Sequence, residues 1–304
     1  MSLKSVERIV VFGDSNVDGG NIFLLSGKSF PSPPYWKGRF TNGHTWVESM
    51  AQVLGISIDN YAYGGATIDN SLVAGKIRLG DGSKKTIPGV KQQILKYLKL
   101  YPQSGNKIPA EKTLFIIHVG SSDLSSLIIP EFYKVKDKLS PEAFSTRLSE
   151  CIMTLHEHAH AKNIVVLNQF PHESLPYIIQ MQSTKVTQTS RRITREFNSY
   201  LRKLINRISI EYPKLNIIQH DTNKLLRNVI SDPGIYGLDE DIIVPAVDTN
   251  VKNNNGGVVV VGMGTSNKLW FDDSHMGVRM HMILAADIIK TISLHILANP
   301  SNFG

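Results

Sequence analysis

Val11-Phe12-Gly13-Asp14-Ser15-Asn16 closes a short apolar run, Ile9–Phe12, with a glycine, an acid and a small hydroxyl residue. Such a run reads as a strand buried on both faces. Similar runs stand at Leu114–Val119, Ile164–Leu167 and Leu215–Ile218, with a weaker one at Ile56–Ala62. Between them lie stretches with helical periodicity: Thr45–Leu54, Val90–Leu100, Pro141–His160 and Arg191–Tyr212. In the last of these Ile193, Phe197, Leu201, Leu204 and Ile208 make one apolar face. Strands alternating with helices imply a parallel sheet covered on both sides. The expected fold is α/β, a three-layer α/β/α sandwich with a mostly parallel sheet of about five strands. It is expected to form a single domain over residues 1–304. In such folds ligands bind beyond the C-terminal ends of the strands, so the loops after each strand should hold the chemistry.

Composition narrows the classes. The chain has 304 residues, 41% apolar and 19% charged, enough to bury a core without disulfides or a structural metal. The single cysteine, Cys151, excludes a disulfide framework and a cysteine-based zinc site, and its helical setting reads as a buried thiol. The net charge is +7, with a modest basic cluster from Lys185 to Arg207. That cluster reads as a solvated helix face. Its second reading is attraction to anionic surfaces such as lipid headgroups, hence a transient membrane-surface contact. No aromatic-rich basic motif points to nucleic acid. The apolar stretch Met276–Ala298 is interrupted by Arg279, His281, Asp287, Lys290 and His295, so it reads as a packed helix and not as a membrane span. The opening MSLKSVERIVVFGDS has neither the length nor the pattern of a signal peptide, which leaves the compartment open. Residues 232–268 read as loops around a short apolar segment, Val258–Val261.

Four segments carry candidate chemistry. The first is the turn after Ile9–Phe12. A serine at a strand-to-helix turn suits a nucleophile, because free N–H groups at a helix N-terminus favour a developing anion. The second is Trp270-Phe271-Asp272-Asp273-Ser274-His275. Asp272 and His275 are three apart, which on a helical turn puts a carboxylate beside an imidazole, the orienter and base of a triad. Asp273 would point elsewhere. The third is Asn60-Tyr61-Ala62-Tyr63-Gly64-Gly65-Ala66-Thr67, whose paired glycines allow a tight turn that presents N–H groups. The fourth is Gly120-Ser121-Ser122-Asp123, directly after the strongest strand. A rival motif is His156-Glu157-His158-Ala159-His160, which matches the H-E-x-x-H zinc signature and on a helix would set His156 and His160 on one face. No third ligand follows at a recognisable place, so the segment reads as the polar end of a crossover helix.

Taken in order, these segments resemble the GDSL, or SGNH, hydrolase family. Phe12–Asn21 resembles its first block, and Tyr35-Trp36-Lys37-Gly38-Arg39-Phe40 with Trp46-Val47-Glu48 resembles the segment that follows in larger members. Asn60–Thr67 resembles the second block, and Asp232–Gly237 and Trp270–His275 resemble the C-terminal ones. The Tyr-Trp-Lys-Gly-Arg-Phe variant is similar to the bacterial lecithinase/haemolysin-like phospholipase branch. The resemblance implies a flavodoxin-like sheet and a serine hydrolase that uses neither metal nor cofactor. It implies Ser15 as nucleophile, His275 as base and Asp272 as its orienter. It places an oxyanion against the N–H groups of Ser15 and Gly64 and an Asn of the third block. Here Ser122 stands in that Asn position, within Gly120-Ser121-Ser122-Asp123 where the family has G-x-N-D. A lost oxyanion donor costs roughly 10²–10³ in rate. The implied substrates are carboxylic esters, lipid or (lyso)phospholipid acyl esters first and O-acetylated sugars second. Acyl transfer to an alcohol other than water is compatible. A binding protein on the same scaffold is the reading that Ser122 motivates.

Overall fold

The computed structural model describes residues 5–79, 82–101, 108–133, 135, 139–252, 258–260 and 267–299, with backbone alone for 249–252 and 258–260. Five strands, β1 (Arg8–Gly13), β2 (Ser57–Asn60), β5 (Thr113–His118), β6 (Asn163–Leu167) and β7 (Asn216–His220), form one sheet in the order β2-β1-β5-β6-β7. Every pairing in it is parallel, with Arg8 opposite Thr113 and Gly13 opposite His118 in the central pair. Parallel neighbours require crossovers, and helices supply them.

Alternation along each strand sorts the core into two layers. Ile9, Val11, Ile116, Val165 and Ile218 pack on one face with α2 (Trp46–Leu54), α9 (Thr222–Ser231) and α10 (Val278–Ala298). Val10, Phe12, Ile117, Val166 and Ile217 pack on the other with α3 (Val90–Leu100), α6 (Pro141–Ala159) and α8 (Thr184–Glu211). The fold is therefore the expected three-layer α/β/α sandwich. Helix α10 is long and apolar enough to cross a membrane, yet Met280, Leu284, Ile288 and Ile292 lie in the core and the helix packs on α2.

Several elements differ from expectation. The weak strand Ile56–Ala62 is reduced to Ser57–Asn60, a half-exposed edge. Helix α8 begins seven residues before Arg191, because the Ser183 side chain accepts the Val186 N–H and caps a polar first turn without apolar signal. Residues 232–268 are not wholly loop. β8 (Val247–Lys252) pairs antiparallel with β9 (Val258–Val260), whereas Val261 lies outside the described residues. A second hairpin, β3 (Lys76–Arg78) with β4 (Lys84–Thr86), is largely exposed and had no apolar pattern to show it.

The H-E-x-x-H geometry fails. Helix α6 ends at Ala159, and His160 caps it in the left-handed region at φ 54°. His160 therefore leaves the face that carries His156, whose Nδ1 sits 3.0 Å from the Ala161 carbonyl. Among the described residues no three His, Cys, Asp or Glu side chains cluster to hold a metal. Cys151 is buried in α6, and burial pushes its thiol up to about 12.

Candidate active site

The carboxyl ends of β1 and β5 open into a cleft of about 320 Å³ whose lining includes Ser15, Gly65, Ser122 and His275. Gly13 ends β1 with the chain pressed against β5. A Cβ there would stand 2.2 Å from the His118 carbonyl oxygen, so only glycine fits. Gln93 of α3 clamps this peptide, accepting the Gly13 N–H at 2.9 Å and donating to its carbonyl at 2.9 Å. The following turn is closed by Val17 N–H on the Asp14 carbonyl at 3.2 Å, and it holds Ser15 half-buried at the cleft.

Ser15 does not stand at a helix N-terminus, as its sequence context predicts. Asp18-Gly19-Gly20 breaks the chain after the turn, with Gly20 at φ 114°, and α1 (Asn21–Leu25) starts six residues later. The helix whose first turn faces the cleft is α4 (Ser121–Ile128), which carries Ser121 and Ser122.

Asp272 and His275 meet as the spacing predicts, though on a non-helical turn. The Phe271 N–H bonds to the His275 carbonyl at 2.7 Å, and Trp270 bridges Met276. His275 Nδ1 lies 2.7 Å from Asp272 Oδ2 and 2.9 Å from Oδ1. The carboxylate also accepts the Ser274 and His275 N–H groups at 2.8 and 2.7 Å, and the Tyr35 hydroxyl at 2.7 Å. Burial favours a neutral imidazole, but the Asp272 charge and hydrogen bond outweigh it and hold His275 above its ordinary value. Asp272 is in turn held low: burial raises it, and His275 and the donors more than offset that. Asp14, buried beside Ser15 and lifted to about 6 by desolvation, adds to the field that favours the imidazolium. Asp273 lines the cleft rim, accepts the Ser274 hydroxyl at 2.7 Å and adds its charge to those that raise His275.

Tyr35 and Phe40 were not singled out as site residues. Both belong to Tyr35-Trp36-Lys37-Gly38-Arg39-Phe40, which Arg39 anchors through a hydrogen-bonded ion pair with Glu48 of α2. Phe40 lies under His275 with ring centroids 5.1 Å apart, and Tyr35 meets Phe271 edge-on at 5.1 Å. The motif was visible, but its partner lies 237 positions away.

The second block needs a correction. The Gly64 N–H, an expected oxyanion donor, is spent on Asp18 Oδ2 at 2.8 Å. Asp18 also accepts the Gly20, Asn21 and Ile22 N–H groups, so one carboxylate welds the first block to the second. Gly65, one residue on, lines the cleft, and its N–H has no protein acceptor among the described residues. Its φ of +76° and the Lys76 carbonyl oxygen 2.5 Å from any added Cβ both demand glycine. In the third block Ser122 lines the cleft together with Tyr133, while buried Asp123 accepts the Ile68 N–H at 3.1 Å. Desolvation lifts Asp123 to about 8.

A parallel α/β/α sheet carrying a serine and a carboxylate-held histidine on its carboxyl rim defines a class of serine hydrolase scaffolds. A family profile described as GDSL-like lipase/acylhydrolase matches residues 9–288, and the chain belongs to that family. A thermolabile hemolysin of Vibrio parahaemolyticus is 34% identical over 124 residues, covering 40% of this chain and 27% of that protein. A phosphatidylcholine-sterol acyltransferase of Aeromonas hydrophila is 43% identical over 68 residues, covering 22% and 20%. The matches thus span about a quarter and a fifth of these two relatives. A GDSL esterase/lipase of Arabidopsis thaliana is 23% identical over 332 residues, covering 94% and 88%.

Proposed function

We propose that this protein hydrolyses carboxylic esters through a serine acyl-enzyme, with Ser15 as nucleophile, His275 as base and Asp272 as orienter. The observation that carries this reading is the 2.7 Å bond between His275 Nδ1 and Asp272 Oδ2, on a cleft that Ser15 also lines. Asp272 fixes the proton on Nδ1, which leaves Nε2 to take the Ser15 proton as Oγ attacks the ester carbonyl. The imidazolium then passes that proton to the leaving alkoxide, and the acyl group stays on Ser15. A water, deprotonated by the same Nε2, releases the acid. An alcohol in place of that water gives acyl transfer.

The oxyanion is stabilised in this reading by the N–H groups of Ser15 and Gly65, with the Ser122 hydroxyl as third donor. Ser122 is shorter than a carboxamide, and Tyr133 lines the cleft with it. Lipid or lysophospholipid acyl esters are the favoured substrates. The names of the two bacterial relatives support this, as does the cleft wall, where Ile77, Ile129, Leu175 and Tyr177 offer an apolar lining to an acyl chain.

The test is hydrolysis of p-nitrophenyl esters from acetate to palmitate and of lysophosphatidylcholine. Wild type should turn over the longer acyl chains, and Ser15→Ala should abolish turnover with the fold intact. Retained turnover in Ser15→Ala removes the nucleophile assignment. Activity on acetate alone moves the substrate to small O-acyl groups. No turnover of any ester, with the wild type folded, leaves a binding protein on this scaffold.

A further inference from the structure

The basic stretch of α8 has no part in the chemistry above, yet it is not a uniformly solvated face. Arg191, Arg195 and Arg202 fall four and seven residues apart, which puts them on one stripe of the helix. With Arg227 of α9 they line a cleft of about 870 Å³ at the carboxyl ends of β6 and β7. This cleft is larger than the one that holds Ser15 and shares no lining residue with it.

Within the cleft the charges divide into two sets. Buried Glu173 accepts from Arg191 Nε at 3.2 Å and from Arg227 Nη2 at 2.8 Å, so one carboxylate fixes two guanidiniums. Arg227 Nε is further held by the Asn223 carboxamide at 3.0 Å. The other carboxylate, Asp221, is used at home: it accepts from Asn168 Nδ2 at 2.8 Å and caps α9 through the Lys224 N–H at 3.0 Å. Arg195 and Arg202 have no acidic partner among the described residues. The Gln219 carboxamide, on the edge strand β7, also faces the cleft with no protein partner described. Two fixed guanidiniums, two uncommitted ones and a free amide thus converge on one concavity. Guanidinium forks match the tetrahedral oxygens of phosphate with paired hydrogen bonds, and two uncommitted positive charges match a phosphomonoester dianion.

We propose that this cleft is a binding site for a phosphomonoester group, separate from the ester-hydrolysing cleft and independent of the function assigned to it. The volume exceeds what phosphate alone fills, so the group arrives on a larger molecule, either a free phosphomonoester or a phosphatidic-acid headgroup.

The test compares the whole protein with two charge-matched double variants. One is Arg195→Gln/Arg202→Gln. The other is Lys203→Gln/Arg207→Gln, exposed positions on α8 outside the cleft. Titration calorimetry with sn-glycerol 3-phosphate, and cosedimentation with phosphatidylcholine vesicles with and without phosphatidic acid, read binding at fixed ionic strength. Hydrolysis of a short chromogenic ester and thermal unfolding should stay unchanged in both variants. The expected result is saturable binding that the first variant weakens by about tenfold or more and the second leaves intact. Calorimetric binding of glycerol phosphate identifies a free phosphomonoester. Binding confined to phosphatidic-acid vesicles, with the same dependence on Arg195 and Arg202, identifies the lipid headgroup. Equal weakening in both variants, or no binding to either probe, overturns the proposal.

Discussion

Asp272 is the most heavily hydrogen-bonded side chain of the candidate site, and each of its donors has a separable effect. Two backbone N–H groups and the His275 ring hold it from its own turn, and among the described residues only Tyr35 reaches it from elsewhere. Tyr35→Phe keeps the ring packed on Phe271 and removes one charge-assisted hydrogen bond. It should lower kcat by about tenfold with KM little changed. The pH profile tests the electrostatics. In the proposed mechanism the base works as neutral imidazole, so kcat/KM should rise with pH, with a midpoint above the ordinary histidine value because Asp272 favours the charged form. Asp273 and, more weakly, Asp14 add to that field, so Asp14→Asn should move the midpoint down a little; an unmoved midpoint would mean that Asp14 does not sense His275. The Asp272–His275 pair was legible because a three-residue spacing brings two side chains together on a tight turn. The choice between Gly64 and Gly65 was not, because both are glycines and only the distant Asp18 carboxylate decides which N–H is free.

At the scale of elements, the first turns of helices explain most of what the sequence hid. Helix α10 has glycine at its own cap position and takes its acceptor from a remote residue: Asn42 Oδ1 receives the Val278 N–H at 2.8 Å. The neighbouring Thr41 hydroxyl donates to the Met276 carbonyl at 2.8 Å, so the loop before α2 seats the loop that carries His275. Asn42→Ala should cost about 1 kcal/mol in urea unfolding, the usual loss for a missing N-cap. An unchanged midpoint would show that water replaces the carboxamide. Helix α6, with its apolar stripe, was readable to within a residue, whereas α8 was readable only over its striped part. Helix α4 was not readable, because Ser121-Ser122-Asp123 offers no periodicity and its packing is against α8 and the short helical turn Pro130–Tyr133, distant or weak in sequence signal.

At the scale of the molecule, two layers of alternating side chains made the sheet legible, since buried parallel strands carry their own signal. The exposed hairpin β3–β4 carries none. The same burial governs acid stability. His118, His172 and His281 are buried, and desolvation holds each down to about 3. In the unfolded chain they titrate near 6.5. Between those values the unfolded state binds more protons, so stability is lost as pH falls from 6.5 toward 3. Buried Asp14, Asp18 and Asp123 act oppositely: raised from 3.8, they withdraw stability as pH rises from there to about 6 for Asp14 and Asp18 and to about 8 for Asp123. Thermal unfolding should therefore peak near pH 6, and His172→Asn should flatten the acid limb by one proton. A limb unchanged by that substitution would show that His172 is already charged in the fold.

The separation of Tyr35 from Asp272 along the chain also has a meaning in time. Synthesis delivers the N-terminus first, and all five strands of the main sheet precede Asp272 and His275, so the sheet around Ser15 can assemble before they are made. A nascent or prematurely ended chain would thus present Ser15 and part of the cleft wall without the proposed base. In the proposed mechanism, competence is deferred until the Trp270–Met276 turn forms and α10 packs on α2.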